Sequence, residues 1–181
     1  NQKFGSYTTQ DHAYILAWTT TPWTLPGNVA LAVGKYIKYS AVRIDGVQEL
    51  LILASDLVEK VLAGHSIERV HENIDGKELT GLEYEPLFEI PSLKSEKSYK
   101  VYQADFVTTT DGTGIVHTAV MYGEDDYRLG KEIGLPAHHT VDQTGLFINE
   151  VPEVAGRPVK DKETDKIIID YLRSKNLLLK E

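Results

Sequence analysis

The stretch YILAWTTTPWTLPGNVALAV (residues 14–33) sets the architecture of the chain. Its ends, residues 14–18 and 29–33, are short apolar runs that read as buried strands. Between them lie Pro22, Pro26 and Gly27, which regular helix and central strand do not tolerate together. The reading is therefore strand, irregular loop, strand. Residues 18–28 of that loop pack four hydroxyls, one amide and two indoles into a polar knot between apolar ends.

Working outward, short strands with turn signals recur. Residues 39–44 and 49–54 flank Asp45-Gly46, a dipeptide that tolerates positive φ and favours a hairpin. Ser55 is placed to cap a helix over 56–63, with Gly64 as its stop. Strands are expected at 67–71, 99–108 and 115–120, with TDGTG (110–114) joining the last two. Asp75-Gly76 reads as a turn, 79–88 as irregular, 91–97 as a surface loop and VDQTGLF (141–147) as turn and strand. Helices are expected at 124–133, where Glu124, Asp125 and Asp126 suit the dipole of a first turn, and at 162–175. In the latter, Ile167, Ile168, Tyr171 and Leu172 form one stripe. Residues 177–179 could add an edge strand. The pattern predicts a single α+β domain over residues 1–181, β-barrel-like, of mixed short strands with a few peripheral helices.

Composition narrows the function classes. The 181 residues are 41% hydrophobic and 25% charged, which excludes disorder as the main state. Acidic residues outnumber basic ones by 27 to 19, for a net charge of −8. Tight autonomous nucleic-acid binding needs clustered Lys and Arg, so only local contact with an RNA end fits. There is no cysteine, hence no disulfide, thiolate nucleophile or cysteine-held metal, and the chain suits a reducing cytoplasm. No apolar run approaches a membrane span, so no membrane partner is expected. The chain opens on Asn1 without Met and reads like the inside of a longer protein, so an excised domain is expected.

Familiar enzyme templates are missing: no phosphate or dinucleotide loop, no Gly-x-Ser-x-Gly elbow, no His-Glu-x-x-His. His138-His139 would point to opposite faces of a strand, so no metal site is expected, and no cofactor. Two polar groupings remain. In residues 19–28 the hydroxyls either satisfy local backbone donors or orient water and bind a ribose. In GTGIVHTA (112–119) and GEDDY (123–127), His117 lies in an apolar strand and Asp126 nine positions on at a helix start. Either they are a core histidine and a capping carboxylate, or they line one cleft.

AWTTTPWTLPGNVALAV (17–33) closely resembles the threonine-rich peptide of isoleucyl-tRNA synthetase editing domains, the insertion of class I synthetases. GTGIVHTAVMYGEDDY (112–127) resembles the second signature of that domain, and GKELTGLEYEPLF (76–88) and VDQTGLF are also similar to it. Valyl- and leucyl-type editing domains typically carry Arg-Pro after two threonines, where this chain has Thr21-Pro22-Trp23. The family often shows Ala-Pro where this chain has Ala119-Val120, which implies a local change. Neither His-Ile-Gly-His nor Lys-Met-Ser-Lys-Ser is present, so no ATP-dependent activation is expected.

The resemblance implies hydrolysis of valine wrongly esterified to isoleucine tRNA. One methylene is worth only about 1–3 kcal/mol in a synthetic pocket, and isoleucyl-tRNA synthetase is itself the general illustration of that limit and of double-sieve editing. By resemblance, Thr20 and Asp126 are catalytic, Asp126 holding the α-ammonium. Thr19, Thr21, Trp23, Thr24 and Asn28 then bind the substrate and terminal adenosine, and His117 helps exclude the larger side chain. The implied partners are the CCA end of valine-bearing isoleucine tRNA and the remainder of a parent synthetase, with the isolated domain monomeric. Competing readings are a valyl- or leucyl-type editor, or a non-catalytic module that docks an RNA end or a partner.

Overall fold

In a computed structural model, the structure describes residues 2–4 and 7–9 as backbone strands, and residues 12–181 in full. The strands are β1 (Gln2–Phe4), β2 (Tyr7–Thr9), β3 (Ala13–Ile15), β4 (Ala30–Val33), β5 (Lys38–Ile44), β6 (Leu50–Ala54), β7 (Ile67–Asp75), β8 (Lys100–Gln103) and β9 (Ile115–Thr118). The α-helices are α1 (Val58–Val61), α2 (Gly76–Leu79), α3 (Glu124–Ile133) and α4 (Lys162–Ser174). The threonine-rich loop holds a 3-10 helix at Pro22–Gly27. Among the described residues no helix is long and apolar enough to cross a membrane.

One unit comprises Asn1–Trp18, Leu31–Glu83 and Lys100–His117. Its larger sheet has the order β3-β6-β5-β7. β6 (LLILA) is buried at every position, as an apolar run without alternation predicts for a strand covered on both faces. The β5–β6 hairpin forms around Asp45-Gly46, with Gly46 at φ +80. β3 runs parallel to β6, and β7 pairs antiparallel with β5 through register shifts beside Ala41. Val42, Ile44, Leu51, Leu53, Val58 and Leu62 pack as one apolar cluster of this sheet and α1.

The smaller sheet has the order β8-β4-β9, with β4 buried throughout. The turn leading into β9 is pinned to the larger sheet. The Tyr39 hydroxyl accepts the Gly34 N–H at 2.9 Å and donates to the Gly114 carbonyl at 2.7 Å. Burial pushes the Tyr39 phenol up to about 12. Ala54 N–H donates to the Thr113 carbonyl at 2.9 Å. Gly114 sits at φ +72, where a Cβ would come within 2.4 Å of the Ala54 methyl, so this turn requires glycine.

The expected barrel does not form. The strands make separate two-, four- and three-stranded sheets. A barrel needs its first and last strands hydrogen-bonded, but β3 and β7 end one sheet and β8 and β9 end the other. Most strands span only three to five residues, too few for a continuous ladder around a closed wall. The α+β class with short strands and peripheral helices stands.

Local expectations also shift. The strand predicted at 99–108 contracts to β8, and residues 177–179 carry no strand. Ser55 does not cap a helix with its side chain. It starts a 3-10 turn, and its hydroxyl bonds the Ser40 hydroxyl at 2.8 Å. Asp75-Gly76 opens α2 through a capping box in place of a turn, because Glu78 reaches back to the Asp75 N–H.

The second unit comprises Thr19–Ala30, Tyr84–Tyr99 and Thr118–Glu181. α3 spans the predicted 124–133 and ends at Gly134, whose φ of +81 suits a left-handed stop. Asp161 caps α4 by accepting the Glu163 N–H at 3.0 Å. α4 buries Thr164, Ile168 and Leu172, packs against the 3-10 helix of the threonine-rich loop, and stacks Tyr171 on Phe88.

Candidate active site

The threonine-rich loop divides its polar residues between two tasks. Thr24 and Asn28 are buried. Thr24 Oγ1 donates to the Thr21 carbonyl at 2.9 Å, Asn28 Nδ2 donates to the Ala30 carbonyl at 3.0 Å, and Tyr84 donates to Asn28 Oδ1 at 2.6 Å. These groups brace the loop from inside. Thr19 Oγ1 accepts the Thr21 N–H at 3.0 Å, which folds the TTT run into a tight turn. Thr20 and Thr21 are exposed and Thr19 is half-buried. Pro22 has no N–H and Thr21 gives no side-chain cap, so Trp23 supplies the first free donor of the 3-10 helix. That N–H hydrogen-bonds toward the carboxylate of Asp165 on α4 and counters the upward push of burial on its pKa.

The second motif turns back on itself. Gly123 starts α3 without a side chain to cap it, and Asp126 does not cap it either. Asp126 Oδ2 instead accepts the N–H of Ala119, seven residues earlier, at 3.1 Å. Burial raises the Asp126 pKa above the ordinary aspartate value, the Ala119 bond lowers it, and neighbouring Asp125 raises it. One N–H leaves most of a carboxylate's accepting capacity for a ligand.

The parts of the two motifs that lie in the second unit, residues 19–30 and 118–127, meet there. Trp23 lies edge-on to Tyr122, with ring centroids 5.0 Å apart at 69°. At Gly27 a Cβ would come within 2.8 Å of the Tyr122 ring and 3.4 Å of the Ala119 methyl. Val29 N–H donates to the Thr118 carbonyl at 3.0 Å. Ala119 therefore touches the loop on one side and holds Asp126 through its N–H on the other. Tyr122 and Asp165 were not foreseen from sequence. Tyr122 lies inside the second motif, between Ala119 and Gly123, and that position is the one signal pointing to it.

His117 lies in β9 and ends the other unit's share of the chain. It keeps some accessible surface, yet desolvation pushes its pKa down to about 4. His138 Nε2 lies 3.2 Å from Glu150 Oε1, and His139 sets its ring edge against Tyr122. Among the described residues no group of three His, Asp or Glu side chains is arranged to hold a metal.

The fold has solved counterparts. The crystal structure of GlLeuRS-CP1 matches with a TM-score of 0.69 at 16% identity, over 96% of this chain and 86% of that one. The P. falciparum cytosolic leucyl-tRNA synthetase editing domain matches with a TM-score of 0.60 at 15% identity, over 91% and 68%. No family model matches the chain. By sequence it is 47% identical over 171 residues to the isoleucine–tRNA ligase of Clostridium novyi (strain NT). It is 48% identical over 168 residues to that of Methanothermobacter marburgensis. The chain belongs to the isoleucine–tRNA ligase family. It spans 16% of the length of these ligases, and the matches cover 94% and 92% of the chain. Within the ligase family, then, this segment carries the editing-domain fold.

Proposed function

We propose that this chain edits after transfer, hydrolysing the ester that joins valine to isoleucine tRNA. The carrying observation is the junction at Ala119, where the threonine-rich loop meets the strand end that holds Asp126. The aminoacyl ester brings a cationic α-amine. A half-buried carboxylate with accepting capacity left is the group to bind it, through a charge-assisted hydrogen bond.

In the reaction, water attacks the acyl carbon, the bond to the ribose oxygen breaks, and that oxygen takes a proton. The products are free valine and tRNA with an unesterified 3′ end. Thr20, with Thr19 and Thr21, positions the water and the sugar, helped by the free ribose hydroxyl. Trp23 lines the side-chain pocket, braced by Thr24 and Asn28. His117, with its pKa down at about 4, is neutral at pH 7 and too weak a base to draw a proton from water. Its role is steric, helping to exclude the extra methylene of isoleucine.

The partners are the CCA end of isoleucine tRNA and the rest of a parent synthetase. A net charge of −8 suits a cytoplasmic, monomeric editing domain that receives the tRNA end while other parts hold its body. The test is deacylation of valyl- and isoleucyl-tRNA(Ile) by this chain and by the parent ligase. Faster loss of the valyl ester supports the reading. Preference for threonyl or norvalyl esters would assign a valyl- or leucyl-type editor, and binding without hydrolysis a docking module.

A further inference from the structure

Tyr122 is tied into the fold at both ends of its ring. Its hydroxyl accepts the Thr140 N–H at 2.7 Å and shares a second hydrogen bond with Thr140 Oγ1 at 2.8 Å. Thr140 is fully buried, and its carbonyl accepts the Ile148 N–H at 3.1 Å. The loop beyond it closes through the Val141–Phe147 bridge, with Phe147 buried. A side chain anchored this way has one position open to it. The other end of the ring meets Trp23 edge-on and lies under the backbone of Gly27, too close for any added Cβ. His139 closes a third side.

We propose that Tyr122 is a positioning residue for amino-acid discrimination: held through its hydroxyl to Thr140, its ring fixes the Trp23 indole and thereby sets the size limit of the editing pocket. This rests on the editing reading above. A size filter separating side chains by one methylene needs a wall that does not yield, because a pocket that relaxes accepts the larger group. Trp23 sits on a short loop braced mainly by its own polar side chains, so the rigidity of its ring comes from what packs against it.

The experiment compares wild type, Tyr122→Phe and Thr140→Val in hydrolysis of valyl- and isoleucyl-tRNA(Ile). Tyr122→Phe keeps the ring and loses both hydroxyl bonds. Thr140→Val keeps the N–H and loses only Oγ1. The valyl-to-isoleucyl rate ratio should narrow by about tenfold for Tyr122→Phe and by less for Thr140→Val. In a Trp18→Phe background, emission reports Trp23 alone, and its acrylamide quenching should rise in the same order. An unchanged ratio with unchanged quenching overturns the proposal, even if the melting temperature falls. If Tyr122→Phe does not fold, Thr140→Val decides the matter by the same two readouts. A wild-type chain showing no preference for the valyl ester would defeat the editing reading itself, and this inference with it.

Discussion

The two motifs that meet at Ala119 are held in opposite ways. The threonine-rich loop is satisfied largely by its own neighbours: Thr19 with Thr21, Thr24 with Thr21, Asn28 with Ala30. Asp126 reaches seven residues back for one N–H and carries its charge where burial opposes it. Local satisfaction makes the loop a scaffold. A carboxylate under electrostatic stress is a group waiting for a cation. Mutating the loop's buried bracing residues, Thr24 and Asn28, should therefore cost stability, and mutating Asp126 should cost activity.

The largest expected effect breaks that contrast at its charged side. Asp126→Ala should reduce kcat/KM for valyl-tRNA(Ile) roughly 10–150-fold, the equivalent of about 1.5–3 kcal/mol for a hydrogen bond to a charged group. Asp126→Asn should lose comparable activity yet denature later than wild type at pH 7. The sign follows from the raised pKa. The folded state holds the Asp126 proton more tightly than the unfolded chain, so ionisation opposes folding above the folded pKa and not below the ordinary aspartate value. Urea unfolding of both proteins at neutral pH and near pH 3 should show the gap closing in acid.

Gly27→Ala attacks the junction itself. Its Cβ would press on a Tyr122 ring that Thr140 prevents from swinging away. Overpacking of this kind typically costs about 1–3 kcal/mol, read from the urea midpoint. Thr24→Val tests the scaffold side. Losing the bond to the Thr21 carbonyl should cost about 1 kcal/mol. The loss should appear in stability first, with a smaller change in hydrolysis.

The smallest effect on the rate itself concerns the titration of His117. Its folded pKa of about 4 lies below the ordinary 6.5. The unfolded chain therefore takes up the proton first, and stability present above about pH 6.5 is lost as pH falls toward 4. His117→Gln should flatten that slope in pH-dependent melting. The deacylation rate of wild type should show no inflection from this group near pH 6–7.

Local signals carried the sequence reading where it succeeded. α3 was legible because Gly134 marks its end, α4 because Ile167, Ile168, Tyr171 and Leu172 form one stripe, and the β5–β6 hairpin because Asp45-Gly46 permits its turn. Barrel closure was not legible, since it depends on which outer strands pair, and that is decided far along the chain. Ser55 resembled a cap because its partner, Ser40, comes from a neighbouring strand. At the site, the residue types were plain but their division of labour was not. Asn28 is braced by Tyr84, 56 residues away, and Tyr122 by Thr140, 18 residues away. No spacing rule anticipates such pairs.

The phenol of Tyr39, seated between the Gly34 amide and the Gly114 carbonyl, has a dynamic consequence. The turn before His117 cannot detach while the larger sheet stays intact. Deuterium uptake at the Gly34 and Ala54 amides should therefore track cooperative opening of the whole unit, whereas the amides of residues 178–181, outside any strand or helix, should exchange almost at once.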